Sequence, residues 1–352
     1  MIAGDIRSDD VSFTAPPYSN AVTTDRSDLP NVSDATVSEI GEFSVIARAT
    51  DQRQQPADVQ VGPGDDAAVV TIDGAAVVAC VDTLVEGRHF RVDWSTGSDI
   101  GRKAIAQNAA DLAAMGAIPV TFLVSLGCPA DTSVAFTDDL VAGLWAEAAR
   151  FGAGISGGDL VQSDQITVSV TALGSLQGRT AVLRSGAQPG DVVAVAGELG
   201  KSAAGLHLLA NMNSDSLAPF VDCVHVHRVP DPPYTAGIAA ANAGAHSMID
   251  TSDGLLADLS HVAAASQVRV DIETALLPIP SAVAEVAEMA GVDPLDWVLG
   301  GGEDHALVAT FASHQTVPAP FRRVGSVSAG SGVTVDGARV EQRGWTSWRR
   351  TE

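Results

Sequence analysis

Short valine-rich apolar runs alternate with longer amphipathic stretches along the chain, and this alternation most restricts the folds open to it. Residues 75–81, bounded by Gly74 and Asp82, predict a buried strand. Residues 98–115 predict a helix, because their apolar side chains recur on one face. Further strands are predicted at 166–173, 191–196, 248–249, 299–311 and 323–335, and further helices at 138–151, 202–210 and 254–265.

Strands and helices interleave in both halves without the regular spacing of about 30 residues that repeated βαβ units produce. The sequence therefore predicts an α+β fold rather than a doubly wound sheet. A length of 352 residues fits two domains, with a boundary near residues 176–182. We expect a disordered acidic tail over 1–36, an N-terminal sheet-and-helix domain over 37–178 and a C-terminal α/β domain over 179–352.

The composition excludes several classes of protein. Lys and Arg number 20 against 43 Asp and Glu, which gives a formal net charge of −23. Because such a field repels phosphates, no nucleic-acid or anionic-membrane binder is expected. Three widely spaced cysteines fit a reducing compartment rather than a disulfide framework. The sequence has neither an apolar run of about 18 residues nor a signal-like start, so we expect a cytoplasmic protein without a membrane span.

Five segments combine glycine with carboxylates, and together they indicate a ligand site. Glycine allows a ligand to approach the backbone, and a neighbouring carboxylate can bind a divalent cation carried by that ligand. Each segment alone is also an ordinary turn sequence. Their recurrence, in a chain with 32 Asp and 11 Glu, favours a site built with hard cations. The segments are 62–68, 81–87, 157–159, 250–254 and 300–304.

Asp111 lies inside the predicted helix 98–115, beside its apolar face rather than opposite it. Asp is a poor residue for a helix interior, and a half-buried carboxylate needs a cationic partner. Two interpretations stay open. Asp111 either pairs with Lys103 or an arginine, or it ligates a metal ion, which we favour.

Several familiar nucleotide and hydrolase motifs are absent from the sequence. Residues 197–202 resemble a P-loop, but a P-loop needs glycine at position 195, where this chain has Val. No Gly-x-Gly-x-x-Gly follows a predicted strand, and no Gly-x-Ser-x-Gly marks a nucleophile elbow. The sequence therefore supports neither a P-loop, nor a dinucleotide fold, nor a serine hydrolase.

Two basic side chains have two interpretations each. His89 follows the strand that ends near Asp82, and it is either bonded to the backbone or part of a site. Arg184 lies just beyond the domain boundary, where its guanidinium could bind a phosphate, although surface arginines are common.

Taken in order, these motifs resemble the thiamine-monophosphate kinases, which share an ATP-binding superfamily with aminoimidazole ribonucleotide synthetase and selenophosphate synthetase. The resemblance covers nearly all of the chain beyond the tail. The motifs are Gly-Glu-Phe at 41–43, Gly-Asp-Asp-Ala-Ala at 64–68, Asp-Thr-Leu-Val-Glu-Gly-Arg-His-Phe at 82–90, Asp-Leu-Ala-Ala-Met-Gly-Ala at 111–117, Gly-Gly-Asp at 157–159, Arg-Ser-Gly-Ala at 184–187, Ile-Asp-Thr-Ser-Asp-Gly-Leu at 249–255 and Gly-Gly-Glu-Asp at 301–304.

The resemblance implies a fold like that of aminoimidazole ribonucleotide synthetase and a homodimer formed through the N-terminal domains. It also implies phosphorylation of thiamine monophosphate by ATP, with several Mg²⁺ ions and no general base, since the acceptor is already a phosphate. By resemblance, the metal ligands are Asp66, Asp82, Asp111, Asp159, Asp250 and Asp253 with the Val81 carbonyl; the nucleotide contacts are Gly158, Asp159, Arg184 and Ser252; and the thiamine phosphate contacts are His89, Glu303 and Trp345.

Three departures from the family pattern affect single contacts. Cys80 and Val81 stand where the family usually has hydroxyl residues, and a thiol is a poor Mg²⁺ ligand. His305 stands where the family usually has Tyr. The C-terminal aromatic motif contains both Trp345 and Trp348, so the sequence does not decide which one stacks on the substrate.

Other members of the superfamily fit less well. A selenophosphate synthetase is expected to have a reactive Cys and a Lys in its N-terminal segment, and residues 1–41 contain neither. A carbamoyl-handling hydrogenase maturation protein is expected to end in Cys, whereas this chain ends in Arg-Arg-Thr-Glu. Aminoimidazole ribonucleotide synthetase stays an alternative, as does a non-catalytic divalent-cation binder from a different class.

Overall fold

Two mixed β-sheets with helices packed against them form the fold in a computed structural model, which describes residues 59–61, 64–72, 75–213 and 217–340. The first sheet has six strands in the order β1-β2-β3-β6-β4-β5, antiparallel except for the β4–β5 pair. Its strands are β1 (Val59–Val61), β2 (Ala68–Ile72), β3 (Ala75–Val85), β4 (Ile118–Cys128), β5 (Gly154–Gln162) and β6 (Thr167–Ser175).

The second sheet has seven strands in the order β13-β12-β9-β11-β7-β10-β8, and only its β12–β9 pair is parallel. Its strands are β7 (Asp191–Ala196), β8 (Ser247–Asp250), β9 (Arg269–Ile272), β10 (Leu307–Ala312), β11 (Arg322–Ser328), β12 (Gly332–Val335) and β13 (Ala338–Arg339). All described residues of both sheets belong to one compact unit, 34–352.

Helices pack against one face of the first sheet. Other helices connect strands of the second sheet and pack against it. Within the described ranges, no helix is long and apolar enough to cross a bilayer. The described helices are α1 (Gly97–Ala114), α2 (Val134–Ala148), α3 (Lys201–Asn211), α4 (Val221–Arg228), α5 (Tyr234–Asn242), α6 (Leu255–Ser266), α7 (Ser281–Ala290) and α8 (Pro294–Gly300).

Helix α1 contributes side chains to two of the three hydrophobic clusters that the described residues form. It begins with a capping box, in which the Thr96 hydroxyl accepts from the Asp99 amide and the Asp99 carboxylate accepts from the Thr96 amide. Ile105 packs in the core under the first sheet, whereas Ala113 packs with residues of the second sheet. The helix therefore fixes the position of one sheet relative to the other.

Glycine allows the neighbours of α1 to approach its backbone closely. A Cβ added at Gly101 would lie 2.1 Å from the carbonyl oxygen of Leu140 in α2. A Cβ added at Gly237 in α5 would lie 1.9 Å from the carbonyl oxygen of Ala113. At both contacts the helices touch backbone to backbone, so any larger residue must push them apart.

A buried carboxylate joins α1, α2 and the start of α5. Glu147 has a fully buried side chain and forms ion pairs with Arg102 at 3.1 Å and with Arg150 at 2.7 Å. The Tyr234 hydroxyl donates to the same carboxylate at 3.0 Å. Because two guanidinium groups and a hydroxyl satisfy it, this charge holds the three helices together instead of opposing burial.

Most predicted elements are confirmed with changed bounds. The strand predicted at 75–81 continues to Val85, and the helix predicted at 98–115 is α1, capped by Thr96 rather than by Ser98. The helix predicted at 138–151 begins earlier, at Val134. The Asp336-Gly337 turn joins β12 to β13 as predicted.

Other expectations about the elements were incomplete or wrong. Strands β4 and β5 were not predicted, and the segment 157–159 lies inside β5 rather than in a turn. The strand predicted at 299–311 is instead the end of α8, a loop and β10. The expected tail over 1–36 lies outside the described residues, and the domain limits 37–178 and 179–352 stay a prediction.

Replacing Gly101 by Ala should lower the free energy of unfolding by about 3 kcal/mol, because α1 and α2 must separate to admit the Cβ. Gly157→Ala is the matched control, since its Cβ would meet only a Leu123 methyl at 3.4 Å. Urea unfolding followed by circular dichroism measures both variants. Equal stability of the two variants would contradict the close helix contact.

Candidate functional site

Three carboxylates from distant parts of the sequence converge where the two sheets meet. Asp66 precedes β2, Asp111 lies in α1, and Asp250 ends β8. One carboxylate oxygen from each lies within 4.8 Å of those of the other two. Like charges this close repel strongly away from water, so the arrangement requires compensating positive charge.

Asp66 receives part of that compensation from Arg184. Its Oδ1 accepts hydrogen bonds from the Arg184 guanidinium, at 3.1 Å from Nε and 2.5 Å from Nη2. The other oxygen, Oδ2, is buried and has no hydrogen-bond partner among the described residues. Burial raises the pKa of Asp66 to about 7; the Arg184 charge lowers it and the Asp250 charge raises it.

Asp111 has less compensation from the protein. Burial raises its pKa well above the ordinary value, and the nearby charges of Asp82 and Asp250 add to this rise. Lys103 does not pair with it, because the Lys103 ammonium forms an ion pair with Glu303 instead. The alternative of an Asp111–Lys103 pair is therefore wrong.

Asp82 is held at the edge of β3 by a side chain of α1. Its amide donates to the Asn108 Oδ1 at 3.0 Å. The Val81 side chain is 60% exposed, on the opposite face of the sheet from α1. The Val81 carbonyl as a metal ligand stays a prediction.

Cys80 lies on the same face of β3 as Asp82 and contacts α1. Its thiol donates to the Asn108 carbonyl oxygen at 3.4 Å. Burial raises the pKa of the thiol well above its ordinary value, and the charge of Asp111 adds to this. The thiol thus stays protonated, and the converging carboxylates offer hard oxygens.

The loop after β8 is organised by a carboxylate that the sequence did not single out. The Asp258 Oδ2 accepts from the amides of Asp253 and Gly254, at 3.1 and 3.0 Å. Burial raises the pKa of Asp258 well above its ordinary value, with the Asp250 and Asp253 charges adding to this. Ser252 contributes its carbonyl oxygen to the Glu303 amide at 2.8 Å. The loop thereby fixes both Asp253 and the segment that carries Glu303.

Three consecutive residues after α8 serve three different parts of the site. Glu303 forms an ion pair with Lys103 at 2.9 Å. The Asp304 carboxylate caps α3 by accepting from the amides of Gly200 and Ser202, at 2.6 and 2.9 Å. The His305 Nδ1 lies 2.9 Å from the Asp250 Oδ2. Glu303 and His305 have φ values of +62° and +50°, which L-residues rarely adopt. This backbone shape turns each side chain in a different direction.

The segment that resembles a P-loop cannot act as one. Burial raises the pKa of Asp304 to about 7, and the bonds from the Ser202 and Gly200 amides oppose this rise. This carboxylate occupies the N-terminus of α3, where a P-loop would bind phosphate. The structure therefore confirms the exclusion made from Val195.

The His89 ring is hydrogen-bonded to the backbone through one nitrogen and can donate a hydrogen bond from the other. Its Nδ1 accepts from the Val85 amide at 2.9 Å. Burial lowers its pKa, with the charge of Glu303 opposing and that of Lys103 adding to the effect. A neutral imidazole that accepts at Nδ1 carries its proton at Nε2, so this ring can donate one hydrogen bond to an anion.

Gly158 and Asp159 do not join the carboxylate cluster within one chain. Asp159 pairs in register with Ser125, which continues across Ser169 to Thr83, on the opposite face of the sheet from Asp82. Three strand spacings make this row about 14 Å long. Gly158 has a structural reason to be glycine, because a Cβ there would lie 2.0 Å from the Val124 carbonyl oxygen.

Some predicted residues lie outside the described part of the chain, and some important residues were missed. Trp345 and Trp348 belong to the first group. Lys103, Asp258 and Asp304 belong to the second. The signal for Lys103 was its position on the buried helix that carries Asp111, and Asp304 directly follows the predicted Glu303.

The chain was compared with known proteins. The N-terminal domain model of AIR synthase related proteins matches residues 64–176, and the C-terminal domain model matches residues 188–338. These ranges correspond to the first and second sheets.

Sequence relatives cover nearly the whole length of the chain. The thiamine-monophosphate kinase of Mycobacterium tuberculosis (strain ATCC 25618 / H37Rv) is 52% identical over 316 residues, which is 89% of this chain and 92% of that protein. The Corynebacterium glutamicum protein of the same name is 39% identical over 300 residues, covering 83% of this chain and 88% of that protein.

Solved structures agree with the sequence relatives. AaThiL complexed with AMPPCP and TMP is similar with a TM-score of 0.82 at 31% identity, covering 89% of this chain and 99% of that chain. Both the two-sheet α+β fold and the sequence motifs are thus shared over most of the length. The chain belongs to the thiamine-monophosphate kinase family.

Proposed function

We propose that this protein transfers the γ-phosphoryl group of ATP to a phosphate oxygen of thiamine monophosphate. The bond from the γ-phosphorus to the β-phosphate oxygen breaks, a new P–O bond forms to the acceptor, and thiamine diphosphate and ADP leave. The observation that carries the proposal is the buried convergence of Asp66, Asp111 and Asp250 in a chain of this family. AaThiL, a similar protein, forms a complex with AMPPCP and TMP.

The carboxylate cluster fits Mg²⁺. Its donors are hard oxygens, and the buried Asp66 Oδ2 has no hydrogen-bond partner within the described residues. We propose that Asp66, Asp111 and Asp250 hold Mg²⁺ together with Asp82 and Asp253. When bound, Mg²⁺ neutralises phosphate charge and orients the oxygens of donor and acceptor.

The side chains around the cluster are proposed to orient the nucleotide. Arg184 supplies a guanidinium at the edge of the cluster, where it already contacts Asp66. Ser252 lies between the proposed ligands Asp250 and Asp253. Because the acceptor phosphate is a nucleophile without deprotonation, we assign no acid–base residue, and catalysis rests on alignment and charge.

The thiamine phosphate side of the site is proposed to lie at His89, Glu303 and Trp345. The His89 Nε2 proton can donate to the acceptor phosphate. The carboxylate of Glu303 suits the permanent positive charge of the thiazolium ring. Burial opposes ionisation of this carboxylate, but the charges of Lys103 and His227 outweigh burial and lower its pKa. Trp345 retains the stacking role that the family resemblance implies.

A second copy of the chain is proposed to cover the outer face of the first sheet. This face carries Val81 and Leu123, which are 60% and 40% exposed. It also carries Asp159, which the family resemblance places in the site but which lies on the opposite face of the sheet from Asp82. A homodimer through this face would bury the apolar side chains and provide a second chain beside Asp159. The N-terminal domain, 37–178, is the proposed dimerisation domain.

The purified protein should convert thiamine monophosphate to thiamine diphosphate when supplied with ATP and Mg²⁺. Chromatographic separation of the products measures this, and ADP should form in equal amount. Removing Mg²⁺ with EDTA should stop the reaction, because the acidic site then repels both phosphorylated substrates. Failure to form thiamine diphosphate above a no-enzyme control would exclude the proposed function.

Asp111→Asn should reduce kcat by about a thousandfold or more, because it removes one anionic ligand without changing size. The exposed Asp131→Asn is the control, since it removes the same charge outside the site. Product formation measures activity, and thermal unfolding verifies that the variant folds. Near-normal turnover of the Asp111 variant would make this residue a structural carboxylate.

Leu123→Glu should shift the protein from dimer to monomer, because it puts charges into the apolar face that two copies would share. Val134→Glu is the control, at a residue that is 73% exposed outside the first sheet. Sedimentation equilibrium measures the mass of each. A monomeric parent protein, or a dimer that survives the Leu123 substitution, would contradict the proposed interface.

A further inference from the structure

Lys103 is one of the largest fully buried side chains among the described residues, with 2% of its surface exposed. An ammonium group in such a place needs a hydrogen-bond acceptor for each of its three protons. The structure supplies three, which are the carbonyl oxygens of His89 and His227 at 2.9 and 3.2 Å and the Oε1 of Glu303 at 2.9 Å. The ammonium is therefore saturated and fixed.

Two of the three acceptors belong to residues proposed to hold thiamine phosphate. His89 follows β3 in the first sheet, whereas Glu303 precedes β10 in the second. These segments are more than 200 residues apart in sequence, and Lys103 bonds to both. One side chain thus sets the distance between the two halves of the proposed substrate site.

The charge of Lys103 also acts on Glu303. The Glu303 side chain is 27% exposed, so it can face a ligand while its Oε1 contacts the buried ammonium. Burial opposes ionisation of Glu303, and the Lys103 charge is the largest influence that lowers its pKa. His227, at 3.6 Å, contributes little charge, because burial and Lys103 lower its pKa to about 4.

Helix α1 connects this arrangement to the carboxylate cluster. Lys103 and Asp111 are eight residues apart, which corresponds to about 12 Å along a helix axis. Helix α1 therefore carries the proposed metal ligand Asp111 near its C-terminus and Lys103, which contacts Glu303, nearer its N-terminus. Such a separation suits a substrate with its phosphate at the cluster and its ring system near Glu303.

We propose that Lys103 is a positioning residue for thiamine monophosphate, which fixes the Glu303 carboxylate and the His89 backbone without touching the substrate. This inference rests on the proposed function. Because ATP is proposed to bind beside Arg184 and Ser252, replacing Lys103 should weaken the binding of thiamine monophosphate and not that of ATP.

Lys103→Met tests the inference, because Met keeps the length of the side chain and removes the charge. We expect the KM for thiamine monophosphate to rise by about tenfold or more, and the KM for ATP to change by less than about twofold. Lys201→Met is the matched control. Lys201 is the other lysine of the chain, and it pairs with the exposed Glu198.

A double-substitution cycle separates positioning from general destabilisation. If Lys103 acts through Glu303, the Lys103→Met and Glu303→Gln effects on the KM for thiamine monophosphate should be strongly non-additive. Additive effects, or equal increases in both KM values, would overturn the positioning role. If a variant loses turnover, two other measurements replace the KM values. Thermal unfolding shows whether the variant is folded, and calorimetry in the presence of Mg²⁺ shows whether it keeps its ATP affinity, as we expect of a folded variant.

The outcomes also distinguish this inference from the function on which it rests. If the parent protein forms thiamine diphosphate but Lys103→Met leaves both KM values unchanged, the proposed function stands and the role of Lys103 is overturned. If the parent protein forms no thiamine diphosphate, the proposed function fails, and the inference fails with it.

Discussion

The mutual repulsion of Asp66, Asp111 and Asp250 is the constraint on which the rest of this structure depends. One oxygen of each lies within 4.8 Å of those of the other two; Asp66 and Asp250 are buried and Asp111 is half-buried. Repulsion at this distance would separate three flexible segments, and the fold opposes it with rigid elements. Asp111 belongs to a helix packed backbone to backbone against two others, and Asp250 ends a strand paired along its whole length with β10.

Positive charge from the protein is distributed unevenly over these acidic groups. Arg184 contacts Asp66, His305 contacts Asp250, and Lys103 contacts Glu303. Around Asp111, burial and three neighbouring carboxylates raise the pKa, and a bond from the Cys80 thiol opposes them. Among the described residues, Asp111 thus has less positive charge beside it than Asp66 or Asp250.

How much of this could be predicted from the sequence depended on the type of signal. The five glycine–carboxylate segments and the unfavourable Asp111 inside a helix indicated a cation site, and the family resemblance assigned Asp66, Asp111 and Asp250 to it as ligands. Strand β5 was missed because Gly157 and Gly158 have the composition of a turn, although Gly158 is required by the close approach of the Val124 carbonyl. That requirement is a tertiary contact, and no local pattern reports it.

Lys103 and Asp304 were missed for the same physical reason. A lysine inside an apolar helix resembles a surface residue in sequence, and its three acceptors come from segments far along the chain. Asp304 follows the predicted Glu303, yet only the positive φ of Glu303 and His305 turns adjacent side chains toward different partners. Local patterns identify which residues are chemically unusual, whereas partners are determined by packing.

The position of Asp304 also bears on how a chain this acidic can bind phosphates. Free N–H groups at a helix N-terminus commonly bind phosphate without a charged side chain, but at α3 these groups donate to the Asp304 carboxylate. Arg184, whose guanidinium contacts the cluster, is already paired with Asp66. Phosphates entering the proposed site therefore meet mostly acidic groups, and we propose that cations held by the carboxylates compensate for this. With those proposed cations bound, a net charge of −23 and a phosphate-binding site are compatible, because the acidic residues supply the ligands for the charge that the phosphates require.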